Sequence, residues 1–210
     1  MREAYHEQLD QVTGRLVALT RQVAAMIRDA TQALLAADIH QADAVVAADA
    51  AVDRERTDIE QVLVDIIATQ APVAGDLRQL IASMRITQTL ERMGDLAAHV
   101  AKVARMRYPD SAVPPELRTT FTAMGVVAEQ MATKAGAVIR VRDADAAERL
   151  TREDDEMDRL HRSLFLVVLD HDWPHPAETA VDQALLGRYY ERFADHVVAI
   201  ASQYSERASA

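Results

Sequence analysis

A stretch near the middle of the chain, Leu90–Ala101 (LERMGDLAAHVA), returns as Tyr190–Ala201 (YERFADHVVAIA), with Glu, Arg, Asp and the closing Ala in register. A second pair of segments repeats too: Asp49-Ala-Ala-Val-Asp53 aligns with Asp154-Asp-Glu-Met-Asp158, and both outer carboxylates are kept. The two offsets are 100 and 105 residues, so one inter-helix connection differs in length between the copies. An internal duplication fixes the architecture ahead of any local signal, because the fold has to be two copies of one unit.

Each unit reads as three helices. Leu9, Val12, Leu16, Leu19, Val23, Met26 and Ala30 recur at alternating spacings of three and four, the seam of an amphipathic helix. A second helix is predicted from about His40 to Gln70, with Val45, Val52, Ile59, Leu63 and Ile66 on one face. Ala71-Pro72 ends it, since proline disfavours helical geometry in the residue before it. A third runs from about Gly75 to Arg107 and stops at Tyr108-Pro109, and the proline-rich Asp110 to Pro115 reads as a linker. The pattern then restarts. Leu117, Phe121, Met124, Ala128, Met131, Ala135 and Val138 repeat the first seam, a fifth helix spans roughly Asp145 to Leu169, and a sixth Thr179 to Arg207. The expected fold is all-α, two pseudo-symmetric three-helix bundles, with one repeat over residues 1–109 and the other over 110–210.

Composition narrows the function classes. The 33 acidic against 23 basic residues give a net charge of −10, which argues against nucleic acid and anionic membrane surfaces as partners. No cysteine is present, so disulfide scaffolds, thiolate metal sites and cysteine nucleophiles are excluded. The N-terminus MREAYHEQLD carries charges where a signal peptide needs an apolar run, and no stretch approaches the length of a membrane span. A cytoplasmic location is expected.

Four carboxylate pairs lie four residues apart on predicted helices: Asp49/Asp53, Glu91/Asp95, Asp154/Asp158 and Glu191/Asp195. Residues at that spacing share a face and repel, so each pair wants a cation, either a basic side chain or a hard metal ion. Any one such pair, taken alone, is ordinary solvated helix surface. The recurrence of the same pairs in both halves is what points to metal. Glu91 and Asp95 lie nearly opposite the stripe Ile86, Leu90, Met93, Ala97, Val100, and Glu191 and Asp195 nearly opposite Leu186, Tyr190, Phe193, Val197, Ile200, so these sites are expected to be open. Asp53 and Asp158 fall at the edges of their apolar faces, where a neighbouring helix can be reached.

Other constellations are thinner. His99 and His196 sit beside the acidic pairs as candidate imidazole donors, and Arg78, Arg85 and Arg188 are placed for ion pairs with the carboxylates or for an anion. Glu3-Ala-Tyr-His6 has the Glu-x-x-His form of ferritin-like sites, but that architecture needs two such motifs. There is no glycine-rich phosphate loop, nucleophile elbow or His-Glu-x-x-His motif, and the chain is not expected to be an enzyme.

Asp76-Leu77-Arg78 followed by Leu90-Glu91-Arg92-Met93-Gly94-Asp95, and later Tyr190-Glu191-Arg192-Phe193-Ala194-Asp195-His196, resemble the PhoU family of phosphate-signalling regulators over essentially the whole chain. The resemblance implies two three-helix bundles related by a pseudo-twofold, commonly as a homodimer, with surface metal clusters on the Glu/Asp-x-x-x-Asp motifs. Glu91, Asp95, Glu191 and Asp195 are then the ligand candidates, followed by Asp49, Asp53, Asp154 and Asp158, and iron, manganese or magnesium the ions. The second motif departs from the family pattern, with Ala194 for the usual Gly and Phe193 for a smaller residue. Proteins similar to this act between the ATPase subunit of the phosphate ABC transporter and the phosphate-sensing histidine kinase, restraining uptake and silencing the starvation response. Two alternatives stay open: a carboxylate-ligated metal enzyme, and a structural helical dimer whose acids are merely solvated.

Overall fold

A computed structural model describes the backbone of residues 2–205 and the side chains of residues 5–204. Six α-helices form: α1 (Arg2–Ala36), α2 (Ile39–Gln70), α3 (Ala74–Arg107), α4 (Arg118–Val141), α5 (Ala144–Val168) and α6 (Ala177–Ser205), with a short 3-10 turn over Pro115–Leu117 ahead of α4. No strand occurs among the described residues. The expected boundaries agree to within a residue or two where they can be compared. Glu3 of the Glu-x-x-His motif and Arg207, the expected end of the sixth helix, lie outside the residues whose side chains are described.

The helix starts carry a signal that the sequence reading passed over. Asp38 accepts hydrogen bonds from the backbone N–H groups of His40 and Gln41 at 2.9 and 3.0 Å. Asp143 does the same for Asp145 and Ala146 at 2.9 and 3.2 Å. Such N-caps satisfy amides that have no partner inside the helix, each contributing about 1 kcal/mol. At the other ends, Ala71 and Arg142 adopt left-handed φ values of 44° and 58° and turn the chain out of α2 and α4.

Within each half the three helices pack on one another, and the halves join through equivalent helices, α1 along α4 and α3 along α6. The α1–α4 seam shows the pseudo-symmetry directly. Thr31 faces Gly125 and Thr20 faces Gly136, and exchanging the halves turns one contact into the other. One apolar core runs through both sets, from Leu16 and Ile27 through Ile86 and Leu90 to Phe121, Tyr190 and Phe193, all of them essentially inaccessible. The Tyr190 hydroxyl, buried at its centre, shares a 2.7 Å hydrogen bond with Thr31, whose hydroxyl also lies 2.7 Å from the Ile27 carbonyl. A buried hydroxyl needs such a partner.

The proline-rich connection is not the loose linker that its composition suggests. Ala112 and Val113 are buried, and Gln183 donates to the Ala112 carbonyl at 2.8 Å. Just before it, Arg107 at the end of α3 grips Asp182 at 2.6 Å and Glu178 at 2.5 Å on the first turns of α6.

Candidate functional site

The eight predicted carboxylates gather into two clusters, one per half. In the first, Asp49 and Asp53 on α2 stand against Glu91 and Asp95 on α3: burial pushes the Asp49 carboxyl up, and Asp95 and Asp53 add to the rise. Glu91 is raised for the same reasons, by burial and then by Asp95, while Arg56 draws it back down. In the second, Asp154 on α5 is pushed up to about 6 by burial and by Asp158, Asp195 and Glu191. Each cluster is a knot of like charge at the groove between the second and third helix of its bundle.

Two expectations need correcting. The clusters are not simply open, because Glu91, Asp95, Asp49, Glu191 and Asp154 are half-buried, whereas Asp195 is exposed as expected. The third helix of each bundle is flanked by the second as well as by its core partners, so the acids opposite its apolar stripe look into a groove. The residues that reach inward from the second helix are Asp49 and Asp154, whereas Asp53 and Asp158 are exposed.

The helices approach closely beside the acids because Gly94 lacks a side chain. A methyl there would stand 3.2 Å from Val52 Cγ1 and 3.4 Å from Asp49 Oδ1. In the second half Ala194 fills that place and is fully buried, and the residue aligned with Val52 is Met157. An unbranched, flexible methionine yields to a methyl where the branched valine cannot.

The cationic surroundings of the two clusters differ. Arg56, bonded to Glu60 at 2.9 Å, serves the first from α2. Arg188 on α6 pairs with Glu191 in the second, the ion-pair role expected of it. Arg56 was not singled out from sequence, although its place one turn beyond Asp53 signals it. Arg85 is exposed on α3, and Arg78 is likewise exposed near the start of the same helix.

The histidines are not equivalent. His99 is exposed, packs its ring 5.3 Å from that of Tyr189, and contributes positive potential at Asp49. His196 is half-buried, and burial, then Arg192 and Arg92, hold its pKa below the usual imidazole value. Asp195 pulls its pKa the other way, so His196 stands between the arginines of α3 and α6 and the acids of the second cluster.

In number and chemistry the four carboxylates of each cluster fit a hard cation, which takes oxygen ligands and relieves their repulsion. Among the described residues, no three or more His, Asp or Glu side chains stand close enough together to hold an ion as they are placed. Also among the described residues, no helix is long and apolar enough to cross a membrane.

Comparison with known proteins bears on the doubled fold. The family model described as the PhoU domain fits the chain twice, over residues 16–104 and 121–203. A Mycobacterium tuberculosis protein named phosphate-specific transport system accessory protein PhoU homolog 2 is 42% identical over 96% of this chain and 94% of its own length. A Mycobacterium leprae protein named PhoU homolog 1 of the same system is also 42% identical, over 96% of this chain and 90% of its own. Among solved structures, PhoU from Pseudomonas aeruginosa superposes with a TM-score of 0.87 at 26% identity, covering 98% of this chain and 99% of that one. With the doubled domain, the six-helix fold and the full-length relatives all agreeing, the chain belongs to the PhoU family of phosphate transport accessory proteins.

Proposed function

We propose that this protein is a cytoplasmic adaptor that restrains phosphate uptake and keeps the phosphate-starvation response silent when phosphate is plentiful. Its partners in this reading are the ATPase subunit of a phosphate ABC transporter and a phosphate-sensing histidine kinase, and it works as a homodimer. The observation that carries the reading is the match of the doubled PhoU domain to relatives named as accessory proteins of the phosphate-specific transport system, along nearly their whole length.

The two carboxylate clusters are the proposed metal sites, with Glu91, Asp95, Asp49 and Asp53 holding one ion or cluster and Glu191, Asp195, Asp154 and Asp158 the other. Iron, manganese or magnesium would supply positive charge there, tying the second helix of each bundle to the third. Support comes from the raised carboxyls of Asp49, Glu91 and Asp154, held up by burial and then by the neighbouring acids of their own cluster, a repulsion that a cation would relieve. The donors come from two adjacent helices, so bound metal would stiffen each bundle without chemistry of its own.

The test is secreted phosphatase activity in a deletion strain grown in abundant phosphate. A strain complemented with Glu91, Asp95, Glu191 and Asp195 all changed to Ala is measured beside it. High phosphatase in the deletion, and failure of the variant to silence it, are expected. Unchanged phosphatase in the deletion would refute the regulator. Oxygen-dependent turnover or phosphate release by metal-loaded protein would favour a carboxylate-bridged enzyme instead.

A further inference from the structure

The connection between α5 and α6 carries a surface that the carboxylate clusters do not use. Leu166 and Leu169, neighbours on one helix face at the end of α5, are each 77% exposed. Beside them lies a cavity of about 400 Å³ whose lining combines Leu166, Val167 and Trp173 with the carboxylates of Glu116, Asp170 and Asp172. The connection is pinned in place. The Asp172 N–H donates to the Asp170 carboxylate at 2.8 Å, and the Trp173 N–H to the Asp170 carbonyl at 3.2 Å. His175 lies 3.3 Å from Glu116 and sets its ring edge-on to Trp173, with centroids 4.8 Å apart. A cavity so braced is ready for an occupant and costs little to order.

Three features specify what fits. The exposed leucines and the Trp173 ring call for an apolar side chain. The lining holds three carboxylates and no lysine or arginine, so the complement is cationic. The Trp173 indole N–H is buried without a hydrogen-bond partner among the described residues, and a small turn of the ring on binding would bring it to an arriving carbonyl oxygen. A cation beside an aromatic face and carboxylates is a recurrent recognition pairing.

We propose that this surface docks a partner protein through a segment that sets an apolar side chain next to arginine or lysine. The proposal rests on the adaptor reading above and names the face through which one partner is held.

Trp173 is the only tryptophan in the chain, so its emission reports on the cavity itself. The probe is a synthetic amphipathic Leu/Arg helical peptide titrated onto the full-length protein, with a Leu/Glu peptide of the same pattern as comparison. A saturable change in Trp173 emission with the Leu/Arg peptide alone is expected, weakening steeply as salt is raised. Affinity should fall about tenfold in Leu166→Ser, and about tenfold in the combined Glu116→Gln, Asp170→Asn, Asp172→Asn variant. Unchanged thermal melts verify that these exposed replacements fold. No saturable change, equal response to the Leu/Glu peptide, or indifference to the neutralised carboxylates would overturn the proposal. So would a smaller oligomer of Leu166→Ser in sedimentation, which would make the occupant a second copy of this chain. In cells, derepressed phosphatase in the deletion strain, silenced fully by a Leu166→Ser, Leu169→Ser variant, would sink this surface and leave the adaptor standing. Phosphatase unchanged by the deletion would sink the adaptor, and this proposal with it.

Discussion

Glycine-to-alanine replacement at Gly125 tests the seam between the halves, because the same chemical change has opposite signs at three places in the chain. A methyl on Gly125 would stand 2.5 Å from Thr31 Cγ2, 2.6 Å from its Oγ1 and 2.9 Å from its Cβ. The last of these moves only with the backbone of α1, so a rotamer change cannot relieve the contact. Alanine gains about 1 kcal/mol of helix propensity over glycine. Against that stand overpacking, about 1–3 kcal/mol, and disturbance of the Thr31–Tyr190 hydrogen bond, about 1 kcal/mol. Gly125→Ala is therefore expected to destabilise by about 1–3 kcal/mol, which lowers Tm by roughly 2–12 °C in a chain of this size. Gly136→Ala meets Thr20 only at 3.6 Å, ordinary contact, and Gly14→Ala meets nothing within 4 Å. Both should stabilise, by about 0.5–1 kcal/mol. Urea unfolding of the three variants beside the parent measures all of this. A Gly125→Ala protein at least as stable as the parent would refute the close approach of α1 and α4, and with it the register of the two halves.

Three further outcomes are expected. Arg107→Ala leaves Asp182 uncompensated at 8% side-chain exposure and should lower the urea midpoint, with Asp182→Asn recovering part of the loss; an effect near zero would show that the grip is ornamental. Asp154, pushed up to about 6 from its ordinary 3.8, keeps a proton in the folded state that the unfolded chain has already released between those values. It thus favours folding most below pH 4 and progressively less as pH rises through 6, so metal-free protein should lose stability over that window and Asp154→Asn should flatten the slope. Calorimetric titration with manganese or iron(II) should show binding that strengthens above pH 6 and disappears when Glu91, Asp95, Glu191 and Asp195 are all alanine; binding unaffected by the replacements would place the ions elsewhere.

Much of this molecule was legible in the sequence because its repeat doubled every signal. Leu90 and Tyr190 sit at the same depth of the same stripe, and Pro72, Pro109 and Pro174 mark three of the breaks. The acids were legible as pairs, since spacing along one helix is a local property. Their assembly into fours was not, because which groove Asp49 and Asp154 enter depends on how α2 and α5 rotate against their neighbours. The burial of Glu91 and Asp95 was misjudged for the same reason: a helical wheel knows one apolar stripe, while α3 has three packed neighbours. The Thr31–Tyr190 bond joins residues on α1 and α6, and no periodicity predicts a contact between them. Ala112 and Val113 read as linker because proline marks a chain without regular hydrogen bonding, which says nothing of whether it is covered.

The unequal connections have a consequence for counting. In the first half the chain passes from α2 to α3 through Ala71–Val73 alone, whereas in the second it takes the longer path Leu169–Pro176 that carries Trp173. A symmetric pair of bundles would offer every docking surface in duplicate. This one offers the Trp173 cavity once per chain, so a partner seated there would bind with one-to-one stoichiometry and a defined orientation, although the carboxylate clusters come in pairs.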